Sequence, residues 1–177
     1  MTPEELVDRC GDGVFTLALR LSGNTSDAQD IAQEALLKAI RGLPDFRGES
    51  SLNTWVYRIT VNTWKNWLRS NSRHGGVAVP LGPVADISCP HLPDIDCDMG
   101  KTLEAEEAKS AVYSALSEMP PEDRAILTLR ELDGCSYAEI AHILGLAEGT
   151  VKSRLFRARE VLRGKLSGQS KGGTYDA

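Results

Sequence analysis

Near the C-terminal end of the chain, Val151, Leu155, Ala158 and Leu162 recur at steps of four, three and four, the spacing of one buried stripe on an α-helix. A helix is therefore predicted over 150–163. Its other faces carry Lys152, Ser153, Phe156 and Arg157, flanked by Arg154, Arg159 and Arg163, with Glu160 the one acid among them. A second, shorter helix is predicted just before it, over 136–145. Ser136 with Glu139 forms a capping box, and Leu144-Gly145 supplies an apolar stop followed by a left-handed cap. Two short helices joined through Leu146-Ala-Glu-Gly149 read as a helix-turn-helix. Cations that reach phosphates and base edges, beside a phenylalanine that no core needs, suit a helix lying in a major groove.

In the N-terminal half, Ala28, Ile31, Ala32, Ala35, Leu36 and Ala39 form a buried stripe on a helix predicted over 27–41, with Ser26 and Gln29 as its capping box and Gly42-Leu43-Pro44 as its stop. Asp30, Gln33, Glu34, Leu37, Lys38 and Arg41 then face outward. One leucine ringed by both signs of charge marks a protein-docking surface rather than a core.

The following helix, predicted over 51–70, has three stripes. Leu52, Val56, Ile59, Thr63 and Trp67 form one apolar face, and Tyr57, Val61, Trp64 and Leu68 form another. Arg58, Asn62, Lys65 and Arg69 form a third, cationic face. From Ser50 to Ala85 there is no Asp or Glu. For Trp55, Trp64 and Trp67 two roles stay open: core packing, or stacking on unpaired bases beside the cations that track a single strand.

Between the two helical halves, residues 75–100 are dense in Pro, Gly and Asp without a helical period, so a flexible linker is expected there. The chain of 177 residues then divides into two small domains rather than one. Its formal charge of −5 argues against a nucleic-acid partner only if charge is uniform. It is not: residues 147–177 hold seven Lys or Arg against three Asp or Glu, whereas residues 104–146 hold three against nine. No apolar run is long enough to cross a bilayer and the N-terminus lacks a signal-peptide layout, so a cytoplasmic location is expected. The four cysteines, Cys10, Cys89, Cys97 and Cys135, are too scattered for a disulfide framework. Cys89, His91 and Cys97 leave a thiol or metal sensor open as a side role, although their spacing matches none of the usual zinc patterns. No nucleophile–base pair, phosphate-cradling glycine loop or two-carboxylate site stands out, so neither catalysis nor a cofactor is expected.

Five segments in order, Asp-Ile-Ala-Gln-Glu-Ala (30–35), Asp-Phe-Arg-Gly-Glu-Ser (45–50), Thr-Trp-Val-Tyr-Arg-Ile-Thr-Val-Asn-Thr (54–63), Leu-Arg-Glu-Leu-Asp-Gly (129–134) and Gly-Thr-Val-Lys-Ser-Arg-Leu-Phe-Arg-Ala-Arg (149–159), resemble the motifs of bacterial sigma factors of the sigma-seventy family, in its small extracytoplasmic-function group. The resemblance implies an all-α protein: a sigma-2-like domain over 1–72, a flexible acidic linker over 73–103, a sigma-4-like helix-turn-helix domain over 104–167 and a disordered tail over 168–177. It implies docking on core RNA polymerase through Asp30, Gln33, Glu34, Leu37 and Arg41. The minus-ten element would be read and melted by Phe46, Ser51, Leu52 and Asn53, which hold a flipped base, and by Arg58, Asn62, Lys65 and Arg69, which track the non-template strand. Lys152, Ser153, Arg154, Phe156 and Arg157 would enter the major groove of the minus-thirty-five element. Asp86, Asp94, Asp96 and Asp98 give the linker its acidity, and a cognate anti-sigma factor is implied as a further partner.

Two departures from the family pattern carry expectations of their own. The chain begins late, and Gly11 and Gly13 are expected to weaken an incomplete first helix. Ala147 stands where the pattern commonly offers Ser, removing a cap worth about 0.5–2 kcal/mol, which Glu148 offsets in part. The competing reading is a stand-alone transcriptional regulator, since similar Gly-Thr-Val-Lys helices occur in response regulators. Such a regulator needs neither a strand-stacking helix nor a polymerase-docking face, and both are written into the N-terminal half.

Overall fold

A computed structural model describes residues 1–73 and 103–169, all-helical throughout. The N-terminal half consists of α1 (Pro3–Ser22), α2 (Thr25–Gly42) and α3 (Leu52–Arg73), and the C-terminal half of α4 (Leu103–Ser117), α5 (Pro121–Leu127), α6 (Tyr137–Leu144) and α7 (Glu148–Gln169). Cys89, His91, Cys97 and the linker aspartates lie outside the described residues. Among the described residues no helix is long and apolar enough to cross a membrane, and no three His, Cys, Asp or Glu side chains gather as a metal site.

The glycines do not break the first helix. α1 runs unbroken through Gly11 and Gly13, held at its start by a capping box between Thr2 and Glu5. Gly13 serves a close approach: a Cβ there would stand 3.2 Å from the Tyr57 hydroxyl of α3. α2 begins two residues earlier than its apolar stripe suggests. Its cap is Asn24, whose side chain accepts from the Asp27 amide at 2.9 Å, so the Ser26–Gln29 box is not used. An Asn side chain satisfies an orphan amide as well as Ser does, and the chain took the nearer turn. α2 buries Ala28, Ile31, Ala32, Ala35 and Ala39 against α1 and α3. Alanines here let three helices approach closely.

The two apolar stripes of α3 have different partners. Val56 and Thr63, from the first, are buried in the three-helix unit with α1 and α2. The second stripe contributes Val61 and Trp64, both fully buried, on a helix that also packs against α6 of the C-terminal half. Helices α5, α6 and α7 pack around Ile126, Leu129, Ile140, Ile143, Val151, Leu155 and Ala158. The last turn of α5 widens into a π turn, Thr128–Leu132, which closes with the Asp133 amide donating to the Thr128 carbonyl at 3.1 Å.

Candidate nucleic-acid interface

The helix-turn-helix forms as its caps predict. Ser136 accepts from the Glu139 amide at 3.2 Å while Glu139 accepts from the Ser136 amide at 2.8 Å. These hydrogen bonds hold the Glu139 carboxyl below its usual value. Gly145 closes α6 at φ +67°, a left-handed conformation that side chains rarely adopt. α7 starts at Glu148 and continues past Arg163 to Gln169, longer than the periodic stripe alone implies. The Ala147 carbonyl accepts the first helical bond, from Val151, at 3.0 Å.

α7 points Val151, Leu155 and Ala158 into its own core and leaves Lys152, Ser153, Phe156 and Arg157 in solvent. Phe156 is 68 % exposed, so it is no core residue. The cations on α7 are not equivalent. Arg154 is paired with Glu122 of α5, Arg159 with Glu131 at 2.6 Å, Arg163 with Glu160 at 2.5 Å and Lys165 with Glu118 at 2.7 Å. Lys152 lies over the Tyr137 ring at 5.6 Å. Arg157 has no ionic partner among the described residues. The charge of the basic stripe thus reaches solvent unneutralised at Lys152 and Arg157, while Arg154 is half-buried beside an acid.

In the N-terminal half, Ser51 starts α3, its hydroxyl accepting from the Thr54 amide at 3.1 Å. Leu52 is half-buried and Asn53 exposed, with the Cys10 thiol donating to the Asn53 side-chain carbonyl at 3.5 Å. Phe46 stacks obliquely on Trp55, ring centroids 4.8 Å apart, and Gly42 passes beneath Trp55. Around this pair lies an open cleft of about 310 Å³, lined by Asp45, Phe46, Arg47, Glu49, Ser50, Trp55, Arg58 and, from α6, His142. Arg58, Asn62 and Arg69 are exposed and Lys65 half-exposed along one side of α3. Among the described residues Arg58, Asn62 and Lys65 make no ion pair or hydrogen bond. Trp64 takes the core role: it is fully buried beneath the Arg124 guanidinium, 5.6 Å from the ring centroid. Trp55 and Trp67 are half-buried.

On α2, Asp30, Gln33, Glu34, Leu37 and Arg41 are all exposed, Leu37 by 46 %. Lys38, at the edge of this face, bridges Glu34 at 2.6 Å and donates to the Thr63 hydroxyl of α3 at 3.2 Å.

One cluster escaped sequence reasoning. Arg20 of α1 meets Asp133, beyond the π turn, at 2.6 Å, with only 8 % and 6 % of the two side chains exposed. Arg20 also donates to the Leu132 carbonyl at 3.0 Å. Burial pushes the Asp133 carboxyl up to about 6, despite the opposing pull of Arg20. Nearby, burial and then Asp133 raise Cys135 to about 12, and burial followed by the same carboxylate raises Tyr57. Cys10 is likewise raised by burial, so both described thiols stay protonated at neutral pH. No local pattern announces a contact between positions more than a hundred residues apart.

Two family models match the chain: sigma-70 region 2 over residues 6–74, and sigma-70 region 4 over residues 109–162. Among curated relatives, the extracytoplasmic-function RNA polymerase sigma-E factor of Haemophilus influenzae is 40 % identical over 164 residues, covering 91 % of this chain and 85 % of the relative. The RNA polymerase sigma-H factor of Pseudomonas aeruginosa is 36 % identical over 157 residues, covering 84 % of this chain and 78 % of that one. Among solved structures, the fold matches the sigma factor RpoE of Bartonella quintana, determined with the anti-sigma factor NepR, at a TM-score of 0.70 and 24 % identity, covering 93 % of this chain and 96 % of that one.

Proposed function

Because the chain belongs to the sigma-70 family, in its extracytoplasmic-function group, and is an RNA polymerase sigma factor that directs promoter-specific initiation, we propose that its faces divide that work as follows. The exposed side of α2, with Asp30, Gln33, Glu34, Leu37 and Arg41, docks on core polymerase. The 45–53 loop and the Arg58-Asn62-Lys65-Arg69 side of α3 engage the minus-ten element, Phe46, Ser51, Leu52 and Asn53 holding an extruded base while the cations follow the unpaired strand. α7 reads the minus-thirty-five duplex through Lys152, Ser153, Arg154, Phe156 and Arg157. The domains are assigned as residues 1–72 and 104–167, with 73–103 as linker and 168–177 as tail. The protein contributes no catalysis of its own, works in the cytoplasm and is held in check by a cognate anti-sigma factor.

The observation that carries this reading is the bare face of α7, where Phe156 and Arg157 stand in solvent with no structural task of their own. Run-off transcription with purified core polymerase on promoter templates tests the whole: the chain is expected to confer promoter-dependent transcripts, and their absence with folded, inhibitor-free protein overturns the assignment.

A further inference from the structure

The cations of α7 are held in two different ways. Arg154, Arg159, Arg163 and Lys165 each lean on a carboxylate, which fixes the side chain and offsets its charge together. Lys152 is held by a ring instead: its ammonium stands 5.6 Å from the centroid of Tyr137, and it makes no ion pair among the described residues. The negative face of an aromatic ring attracts a cation without neutralising it. Lys152 is thus steered with its charge left unopposed.

The ring is itself built in. Tyr137 is the first residue of α6, directly after the Ser136 cap, so the capping box with Glu139 fixes the backbone from which it projects. Arg130, in the π turn, stands over the same ring, 4.8 Å from its centroid. Its guanidinium is tied down by donating to the Cys135 carbonyl at 2.9 Å, and the Cys135 amide donates in turn to the Leu129 carbonyl at 2.9 Å. Residues 129–137 thereby close into a small platform, with the Tyr137 ring half-buried against the core. The Tyr137 hydroxyl makes no hydrogen bond among the described residues, so the face of the ring is the part of this side chain that the fold uses.

We propose that Tyr137, braced by Arg130, is the positioning residue for Lys152: it holds the ammonium in one arrangement before DNA arrives, and so raises site-specific affinity without altering the charge that α7 presents. This rests on the reading of α7 as the helix that meets the minus-thirty-five duplex. A free lysine on a helix surface samples many rotamers and must give them up to meet one base edge or phosphate. A lysine already laid on a ring has fewer to give up. On arbitrary DNA the same lysine acts through its charge, for which no ring is needed. Removing the ring therefore separates two quantities that removing the lysine lowers together.

The test uses the full-length chain. In the free protein the Lys152 ε-methylene protons are expected to resonate upfield of those of an exposed lysine, shifted by the Tyr137 ring current. The shift should persist in Tyr137→Phe, shrink in Arg130→Ala and vanish in Tyr137→Leu. This measurement needs no DNA, so its failure is distinct from failure of the promoter reading. Binding is then compared on a duplex from a promoter that the chain transcribes and on a scrambled duplex. Tyr137→Leu should weaken the first about threefold to tenfold and leave the second, and the salt slope, as in wild type. Tyr137→Phe should match wild type, and Lys152→Ala should weaken both. Added to Lys152→Ala, Tyr137→Leu should cost nothing further, whereas a general loosening of the helix-turn-helix would weaken both duplexes with or without the lysine. Unshifted Lys152 protons in wild type overturn the proposal. So does a Tyr137→Phe variant as weak as Tyr137→Leu, which would assign the effect to the hydroxyl, or an undiminished loss from Tyr137→Leu once Lys152 is alanine.

Discussion

α3 and α7 are both 22 residues long and both offer cations to solvent, yet they are built in opposite ways. α7 has one buried stripe, and its cationic side is largely tied to acids of its own half: Glu122, Glu131, Glu160 and Glu118. α3 has no acid at all. Its Arg58, Asn62 and Lys65 are unengaged among the described residues, and its aromatic side is absorbed by packing. A helix that reads duplex needs a rigid base and a bare outer face, which α7 has whether or not the two halves touch. α3 instead divides itself between the core of its own three-helix unit and a surface offered to the other half. Composition makes the two look like two nucleic-acid helices, whereas burial shows that only α7 keeps its large aromatic in water.

The sharpest break between them is expected from their aromatics. Trp64→Ala removes a fully buried indole and its cover by Arg124 and should lower stability by about 3–5 kcal/mol in urea unfolding. Phe156→Ala, on the exposed side of α7, should stay within about 0.5 kcal/mol of wild type in the same measurement. Comparable losses for both would erase the difference between the two helices.

Next in size is an effect of pH on the buried ion pair beside α3. Asp133 faces Arg20 from α1, Tyr57 from α3 and the neighbouring Cys135, and its carboxyl is raised to about 6 chiefly by burial. The folded state thus holds this proton more tightly than an unfolded one in which the carboxyl regains its usual value of 3.8. That contribution to stability is full below about pH 4 and is lost as pH rises through about 6, a change of roughly a hundredfold in the folded-to-unfolded ratio. Urea unfolding should show this contribution larger at pH 5 than at pH 7.5, and Asp133→Asn should abolish the difference. A contribution that grows toward neutral pH would mean that the ion pair to Arg20 outweighs the desolvation of Asp133.

A smaller effect separates cations within α7. Arg157→Ala should weaken binding to a minus-thirty-five duplex by about 1–3 kcal/mol in titration calorimetry with unfolding unchanged. Arg154→Ala, which also removes an ion pair to Glu122, should cost less affinity than Arg157→Ala. An equal or larger loss at Arg154 would reassign the contact. Smallest of all is Gly13→Ala. The added methyl must shift the Tyr57 hydroxyl by a few tenths of an ångström, while alanine favours the helix by about 1 kcal/mol over glycine. The two offset each other, and thermal unfolding should move by no more than a few degrees.

Much of this was legible in the residues. The caps of α6, the stripes of α2 and α7 and the three-sided character of α3 depend on spacing within one helix, and spacing is local. The cap of α2 was misread because Asn24 and Ser26 are both competent and only the folded turn chooses. The role of Trp64 stayed open because a second apolar stripe says that something covers it, without saying what. Arg20 gave no signal: a lone basic residue near a helix end reads as an ordinary complement to the helix dipole. Its partner Asp133 lies 113 positions away, in a motif that reads on its own as a turn. The assignment of individual side chains to DNA and polymerase draws on the family resemblance, since the folded chain alone supplies exposure and charge.

The acids along α7 also govern how its binding will respond to salt. A phosphate that meets an arginine already neutralised by a carboxylate displaces that carboxylate, and the ions released from DNA are partly recaptured by the freed acid. Of the cations from Lys152 to Lys165, four are engaged in this way, leaving Lys152 and Arg157 to act as simple counterions. On a double-logarithmic plot of duplex affinity against salt, the C-terminal half should therefore show a slope of about −2, where six unengaged cations would give about −5. On the proposed reading of α7, a helix this lightly charged in effect would have little hold on arbitrary DNA, and its residence at a site would be governed by the base edges it meets.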